Sequence, residues 1–431
     1  MLRTKGRAFV VCAVLAGALA APAVARSDVI GEWNLIAQQT TIPLRPTAHG
    51  ESRGMAMVEG AVYDAVNAID GGYSPYLIDP HAVGAQPWFS KDAAAATAAH
   101  DVLVAIAPGQ KDALDTALAT TLGGIDDAFT AQGAAVGAAA AGAMLAFRQN
   151  DGFLAPFDFS LVTGPGPGDW RPVTPTALDP DPWVGHEKPF LIDSPSQFRS
   201  AGPYPLTSAE YAKDFNEVKE LGALNSATRT ADQTAAAVFW QFPPIALWNG
   251  LARTLAAERH LGTAAQARLY AMINLAAADG AISCWNDKWY WSFWRPRAAI
   301  READTDGNPH TIADPAWESL FAAETQTTPP LATPPFPDHP SGHGCVSGAT
   351  LKTFQNFFGT DRVSFDVVGG RMLNGVLIPP RHFDRFSQAL DEIIEARIWG
   401  GIHFRNADVQ GAGIGKKVAQ FIRAHDFRPL R

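Results

Sequence analysis

Three short stretches hold the residues that could do chemistry. Lys288 and Arg295 stand in WNDKWYWSFWRP, Ser341, Gly342 and His343 in PPFPDHPSGHGCVSG, and Arg397 and His403 in ARIWGGIH. Pooled, they supply one lysine, two arginines, a hydroxyl, a glycine and two imidazoles. That set suits a tetrahedral or trigonal-bipyramidal oxyanion, which needs charge neutralisation, hydrogen bonds, an in-line nucleophile and a proton donor. The chain carries no HExxH or CxxC motif and no evident carboxylate cluster, so a divalent-metal hydrolase is disfavoured.

Each stretch implies an element that positions it. Pro334–Pro340 cannot be helical, Ser341 is a good N-cap, and the residues from Val346 to Phe357 are proline-free, mostly small or apolar. This is a loop feeding a buried helix, whose free N–H groups and positive dipole end attract an anion. Gly342 lets the backbone approach that anion, and His343 places a titratable group beside it. On a continuous helix Lys288 and Arg295, about 700° apart in rotation, share one face to within about 20°. The spacing thus predicts two stacked cations in an aromatic surround, with Pro296 ending the helix. Arg397 and His403 are about 120° apart on a helix. Gly400-Gly401 lets the chain stop and bring His403 back to the site Arg397 faces.

The ordered set K-x6-R-P, P-S-G-H and R-x5-H, spread over Lys288–His403, resembles the vanadium-dependent haloperoxidase and type 2 phosphatidic acid phosphatase superfamily. The Met55–Asn67 helix and the aromatic Trp285–Arg295 segment resemble its bacterial haloperoxidase branch. The resemblance implies an all-α fold with a helical bundle around the anion and long Pro-rich loops. It implies His403 as the axial ligand to vanadium, or as the phosphate-accepting nucleophile of a phosphatase. Lys288, Arg295 and Arg397 would bind the equatorial oxygens with Ser341 and the Gly342 N–H. Lys288 would also assist catalysis by polarising the bound oxidant. His343 would be the acid–base residue, and Trp285 and Phe336 would form the halide pocket.

The implied activity is oxidation of halide by hydrogen peroxide to hypohalous acid at a vanadate cofactor, with a small organic acceptor. The alternative is an acid phosphatase acting on a phosphate monoester without a cofactor. A third reading is an oxyanion-binding relative without turnover, because Ala396 stands where the family often has Ser. Ala407 stands where it often has Asp, with Asp408 one residue later, which leaves open what orients the His403 ring. His339 is read either as a second proton carrier or as a surface histidine, and His49 is assigned no role.

The rest of the chain is consistent with one exported helical enzyme. Charged residues make up 18% of the 431 and the net charge is −9, which argues against a nucleic-acid or anionic-membrane surface and makes any anion site a local basic pocket. Arg3, Lys5 and Arg7, the apolar run 8–20 and Ala23-Val24-Ala25 read as a signal peptide over 1–25, implying a secreted or periplasmic protein with no later membrane span. Residues 26–431 are expected to form a single α-helical domain: an extended, polar start over 26–50, a helical scaffold over about 51–260, and a catalytic bundle over about 263–427. The Pro-rich stretch 151–206 is expected to wrap the body or to rim a pocket. Cys284 and Cys345, both near motif residues, could be a disulfide or two buried thiols.

Overall fold

The segment 263–291 has small or apolar residues on every face, so it cannot lie at a surface. In the structure, a computed structural model describing residues 28–45, 47–321, 327–328 and 333–430, it is a long central helix. The signal sequence read over 1–25 lies outside the described residues. Thirteen α-helices follow in order among them: α1 Val29–Leu44, α2 Ala48–Asp70, α3 Lys91–Ile106, α4 Lys111–Gly123, α5 Thr130–Phe147, α6 Ala209–Leu221, α7 Ala231–Phe239, α8 Pro244–Glu258, α9 Thr263–Trp291, α10 Pro296–Arg301, α11 Gly342–Phe358, α12 Phe386–Trp399 and α13 Arg405–His425. The central α9 packs against α2 on one side and against α11 and α13 on the other. One continuous apolar core runs from Trp33 and Tyr63 through Trp248 and Leu275 to Phe354 and Val418. A smaller cluster, including Tyr211, Phe293, Trp294 and Phe404, lies beside it.

Two expectations fail here. The start of the mature chain is not extended: α1 occupies most of it, because Val29, Ile30, Trp33, Ala37 and Thr41 recur at helical spacing and are all buried. Nor do the later helices all lack a span-like stretch. By length and composition α5 could cross a membrane, with a mean hydropathy of 1.3. In the fold it lies close against α3. A Cβ on Gly133 or Gly137 would stand 2.2 or 2.3 Å from the Ser90 or Ala94 carbonyl oxygen, so only glycine permits this approach. The strands are very short. A β1–β3–β4 sheet (Thr327–Thr328, Met372–Leu373, Val376–Leu377) and a β2–β5 pair (Phe365–Val367, Arg381–Phe383) are all antiparallel.

The Pro-rich stretch wraps α9, and polar side chains of that helix fasten it. The Asp279 carboxylate accepts the backbone N–H groups of Phe190, Leu191 and Ile192 at 2.7, 2.8 and 3.0 Å. Asn286 donates to the Gly185 carbonyl, Trp289 to that of Pro182, and Asp287 accepts from the Ser200 N–H. Proline supplies no N–H, so the wrap depends on these side-chain partners for its pairing.

Glu51 in the first turn of α2 is fully buried, and neither carboxylate oxygen has a hydrogen-bond partner. Burial alone pushes its pKa up from 4.5 to about 8. The folded state therefore holds a proton that the unfolded chain releases near pH 4.5, and stability falls as pH rises between those values. In Glu51→Gln this slope is absent. Chemical denaturation at pH 5 and pH 8 is expected to show the variant's advantage growing by on the order of 3 kcal/mol. A gap that does not change with pH would show that Glu51 is not protonated in the fold.

Candidate active site

The loop before α11 makes the entrance to the helix rigid. Ser341 is its N-cap, with φ −71° and ψ 125°, and its Oγ accepts the Gly344 N–H at 3.4 Å. Its own N–H is tied to the Ala407 carbonyl at 2.9 Å, which joins this turn to the start of α13. Gly342 serves a close approach: a Cβ there would stand 3.0 Å from the Trp285 ring. The His343 ring is hydrogen-bonded to the Trp240 backbone, and its Nε2 has no partner. Burial and the nearby Arg397 push the His343 pKa well below the usual range, so the ring is neutral.

Lys288 and Arg295 reach the site differently from the single helical face that their spacing predicts. The helix α9 ends at Trp291, Ser292 takes a left-handed φ of 44°, and Arg295 is the N-cap of the next helix. The intervening chain is held to the Pro-rich wrap, Trp170 N–H to Ser292 O at 2.7 Å and Trp294 N–H to Gly168 O at 2.8 Å. Lys288 Nζ donates to the carbonyls of Pro337 (2.8 Å), Asp338 (3.1 Å) and Pro340. The ammonium thus clamps the loop that carries Ser341, and burial lowers its pKa to about 8. Arg295 donates Nε to Phe336 O and Nη1 to Ile402 O, both at 2.7 Å, while Nη2 has no partner. Arg397 leaves both Nε and Nη1 unpartnered. Burial lowers the two guanidinium pKa values, to about 10 for Arg295 and about 9 for Arg397, and both remain cations at neutral pH.

After Arg397, α12 stops at Trp399, and Gly401 at φ 74° turns the chain so that His403 comes back to line the same cavity as Arg397 and His343. Its Nδ1 lies 2.8 Å from Asp338 Oδ1. This pair answers what orients His403. With Asp338 ionised, Nδ1–H donates to the carboxylate and the Nε2 lone pair is left for a ligand. Burial raises the Asp338 pKa to about 7, opposed by Arg295 and Lys288. Burial and then the charges of Arg295, Lys288 and Arg397 depress the pKa of His403 well below normal. Asp408, also buried, interacts with Ser341 and Arg397, and burial raises its pKa.

A cavity of about 270 Å³ opens onto Gly342, His343, Arg397 and His403. Its walls are largely apolar, with Pro180, Trp285, Pro335, Phe336 and Val346. Trp285 and Phe336 meet edge to face at 5.1 Å between centroids. The Trp285 N–H is committed to Asp179 Oδ2 at 2.7 Å, so this tryptophan offers the cavity a ring face, not a donor. His49, which the sequence left without a role, stacks on Trp285 at 3.9 Å and lines the same cavity. No motif marks His49 or Asp179, which come from distant segments. Asp338, three residues before Ser341, was legible by position but not by function. His339 is neither surface-exposed nor a free proton carrier. It is buried, its Nε2 lies 2.9 Å from Ser200 Oγ, and burial lowers its pKa to about 3. Cys284 and Cys345 are free, buried thiols.

Residues 268–429 match the family model of the VCPO second helical-bundle domain. A vanadium chloroperoxidase from Curvularia inaequalis is 30% identical over 267 residues, 50% of this chain. A crystal structure of the first bacterial vanadium-dependent iodoperoxidase superposes with a TM-score of 0.74 at 25% identity, covering 93% of this chain and 97% of that one. The chain is similar in sequence and fold to vanadium haloperoxidases. A holo-type bacterial vanadium-dependent chloroperoxidase shares the fold, at TM-score 0.67 and 18% identity over 91% of this chain and 95% of that one. The aligned region spans 42% of the length of the Curvularia relative.

The residues of this site fit a vanadate group. Among the described residues no set of three or more His, Cys, Asp or Glu converges as a bare cation would require. Instead Arg295 Nη2, Arg397 Nε and Nη1 and His343 Nε2 are buried without partners. Unpartnered buried donors and uncompensated cations are unfavourable unless an anion meets them.

Proposed function

We propose that the chain is a vanadate-dependent haloperoxidase that oxidises halide with hydrogen peroxide to hypohalous acid, which then halogenates a small organic acceptor. The observation that carries this reading is the group of unpartnered donors on Arg295 and Arg397, with the free His343 Nε2, around the Asp338-oriented His403. His403 would bind vanadium through Nε2, and Arg295, Arg397, Ser341 and the Gly342 N–H would hold the vanadate oxygens. When bound, vanadate supplies a Lewis acid that activates peroxide toward halide. Lys288 adds positive potential from behind the loop, since its three donors are engaged by carbonyls. His343 is neutral, with a ring nitrogen free to accept a proton from hydrogen peroxide and later return it. The apolar cavity beside the cage limits water and offers aromatic faces to a weakly hydrated halide or an organic acceptor. Export through the 1–25 signal sequence is part of the same proposal.

Protein reconstituted with orthovanadate is expected to brominate a dimedone probe in the presence of peroxide and bromide, and His403→Ala is expected to abolish this. No turnover between acidic and neutral pH, with nitrophenyl phosphate hydrolysed instead, would replace this reading with a phosphatase acting through His403.

A further inference from the structure

A second cavity, of about 260 Å³, lies beside the same loop and shares Pro334 with the first. It is lined by Arg171, Arg295, Arg297 and Arg301, with Trp170 and Val173 among its apolar walls and Glu302 as its acid. The three outer arginines are fixed by pairing. Arg171 meets Glu302, Arg297 holds Glu318 through two contacts of 2.9 Å, and Arg301 shares Glu318 while donating to Trp317 O at 2.8 Å. Three outer guanidiniums thus share two carboxylates, leaving an excess of positive charge in a protein whose net charge is −9.

The outer arginine side chains are 24–27% exposed, whereas Arg295 behind them is 4% exposed and carries the unpartnered Nη2. The arrangement grades from solvent-reachable cations to a buried one that also belongs to the vanadate cage. The mouth of the His403 cavity is built differently, from prolines and aromatic rings, and is poorly suited to draw a hydrated anion out of water. A local positive patch on an acidic protein focuses the field and raises the local anion concentration.

We propose that this arginine vestibule binds the small inorganic anion used by the enzyme and passes it toward the cage by way of Arg295. The anion's identity rests on the haloperoxidase reading, under which it is halide, and the apolar cavity is left to the organic acceptor. The vestibule and the cage are then two anion sites in series.

Crystals of the full chain soaked in sodium bromide test this by anomalous scattering at the bromine edge. A bromide peak is expected between Arg171, Arg301 and Arg295. In solution, Arg171→Glu and the milder Arg301→Gln are expected to raise the bromide KM at low ionic strength, by about tenfold for the charge reversal, with kcat unchanged. The difference is expected to fade as salt screens the outer arginines. A map without bromide in the vestibule, or parental KM in both variants at low salt, overturns the proposal. The soak reads binding alone, so it decides the matter even if the protein proves not to oxidise halide. Displacement of bromide by excess phosphate would identify an oxyanion as the ion collected, and persistence of the peak would identify halide.

Discussion

Replacing Asp338 with alanine is expected to weaken vanadate binding by about 10- to 100-fold while leaving the fold intact. The carboxylate is the hydrogen-bond partner of His403 Nδ1, at 2.8 Å, and both side chains are buried. Without it the imidazole is free to rotate within its pocket, and its proton can settle on Nε2, the nitrogen that must present a lone pair. Asp338→Asn tests the second effect separately. Asparagine keeps the shape but can donate to Nδ1, which favours the tautomer with the proton on Nε2, so it is expected to be no better than alanine. Titration of apoprotein with vanadate, followed by tryptophan fluorescence and by recovery of bromination, measures both variants. Far-UV circular dichroism checks that they remain folded. Parental affinity in Asp338→Ala would mean that another group orients His403.

The same residue shows where sequence reading reached its limit. The motif residues were legible because each stretch combines a chemical group with a local device that aims it: the Ser341 N-cap, the Gly342 approach, the Gly401 turn. The helical class was legible from periodicity and from proline-free apolar runs. What escaped were pairings set by tertiary contact. The spacing of Lys288 and Arg295 suggests one helical face. Ser292, however, adopts a conformation that few residues other than glycine favour, and nothing in its local sequence announces that break. Asp338 lies inside the most informative stretch, but its partner is 65 positions away. His49, Asp179 and Asp408 enter the site from α2, the Pro-rich wrap and α13, and only packing brings them together. The helix α1 is hidden from the sequence for another reason. Its polar residues, such as Asn34, Thr40 and Thr41, are buried rather than solvated. Asn34 belongs to an internal network in which it donates to Glu59 at 2.7 Å and Asn249 at 2.8 Å.

The cage itself is assembled against the stability of the empty protein, and Arg397 is where that is most exposed to test. Two of its donor atoms have no partner, and burial holds its pKa down to about 9. The charged form is therefore less well accommodated here than in water. The neighbouring Asp408 has its pKa raised by burial, so it can take up a proton when the guanidinium is removed and no buried charge is left alone. These facts predict opposite outcomes for fold and function in Arg397→Met. The apoprotein's denaturation midpoint is not expected to fall, because the lost hydrogen bonds are few and a desolvated cation has been replaced by a flexible apolar chain of similar length. Vanadate affinity is expected to drop by about 2–5 kcal/mol, at least about thirtyfold in Kd, because a buried charge facing an anion is lost. The parent is expected to gain about 2.7 kcal/mol of stability at a vanadate concentration of 100 Kd. The variant at that same concentration is expected to gain far less. Lys288 provides the contrast, since its three carbonyl contacts give it a structural task that Arg397 lacks. If Arg397→Met instead lowered the apoprotein's denaturation midpoint and the folded variant bound vanadate with parental affinity, Arg397 would be a structural residue and the cage would have to be drawn without it.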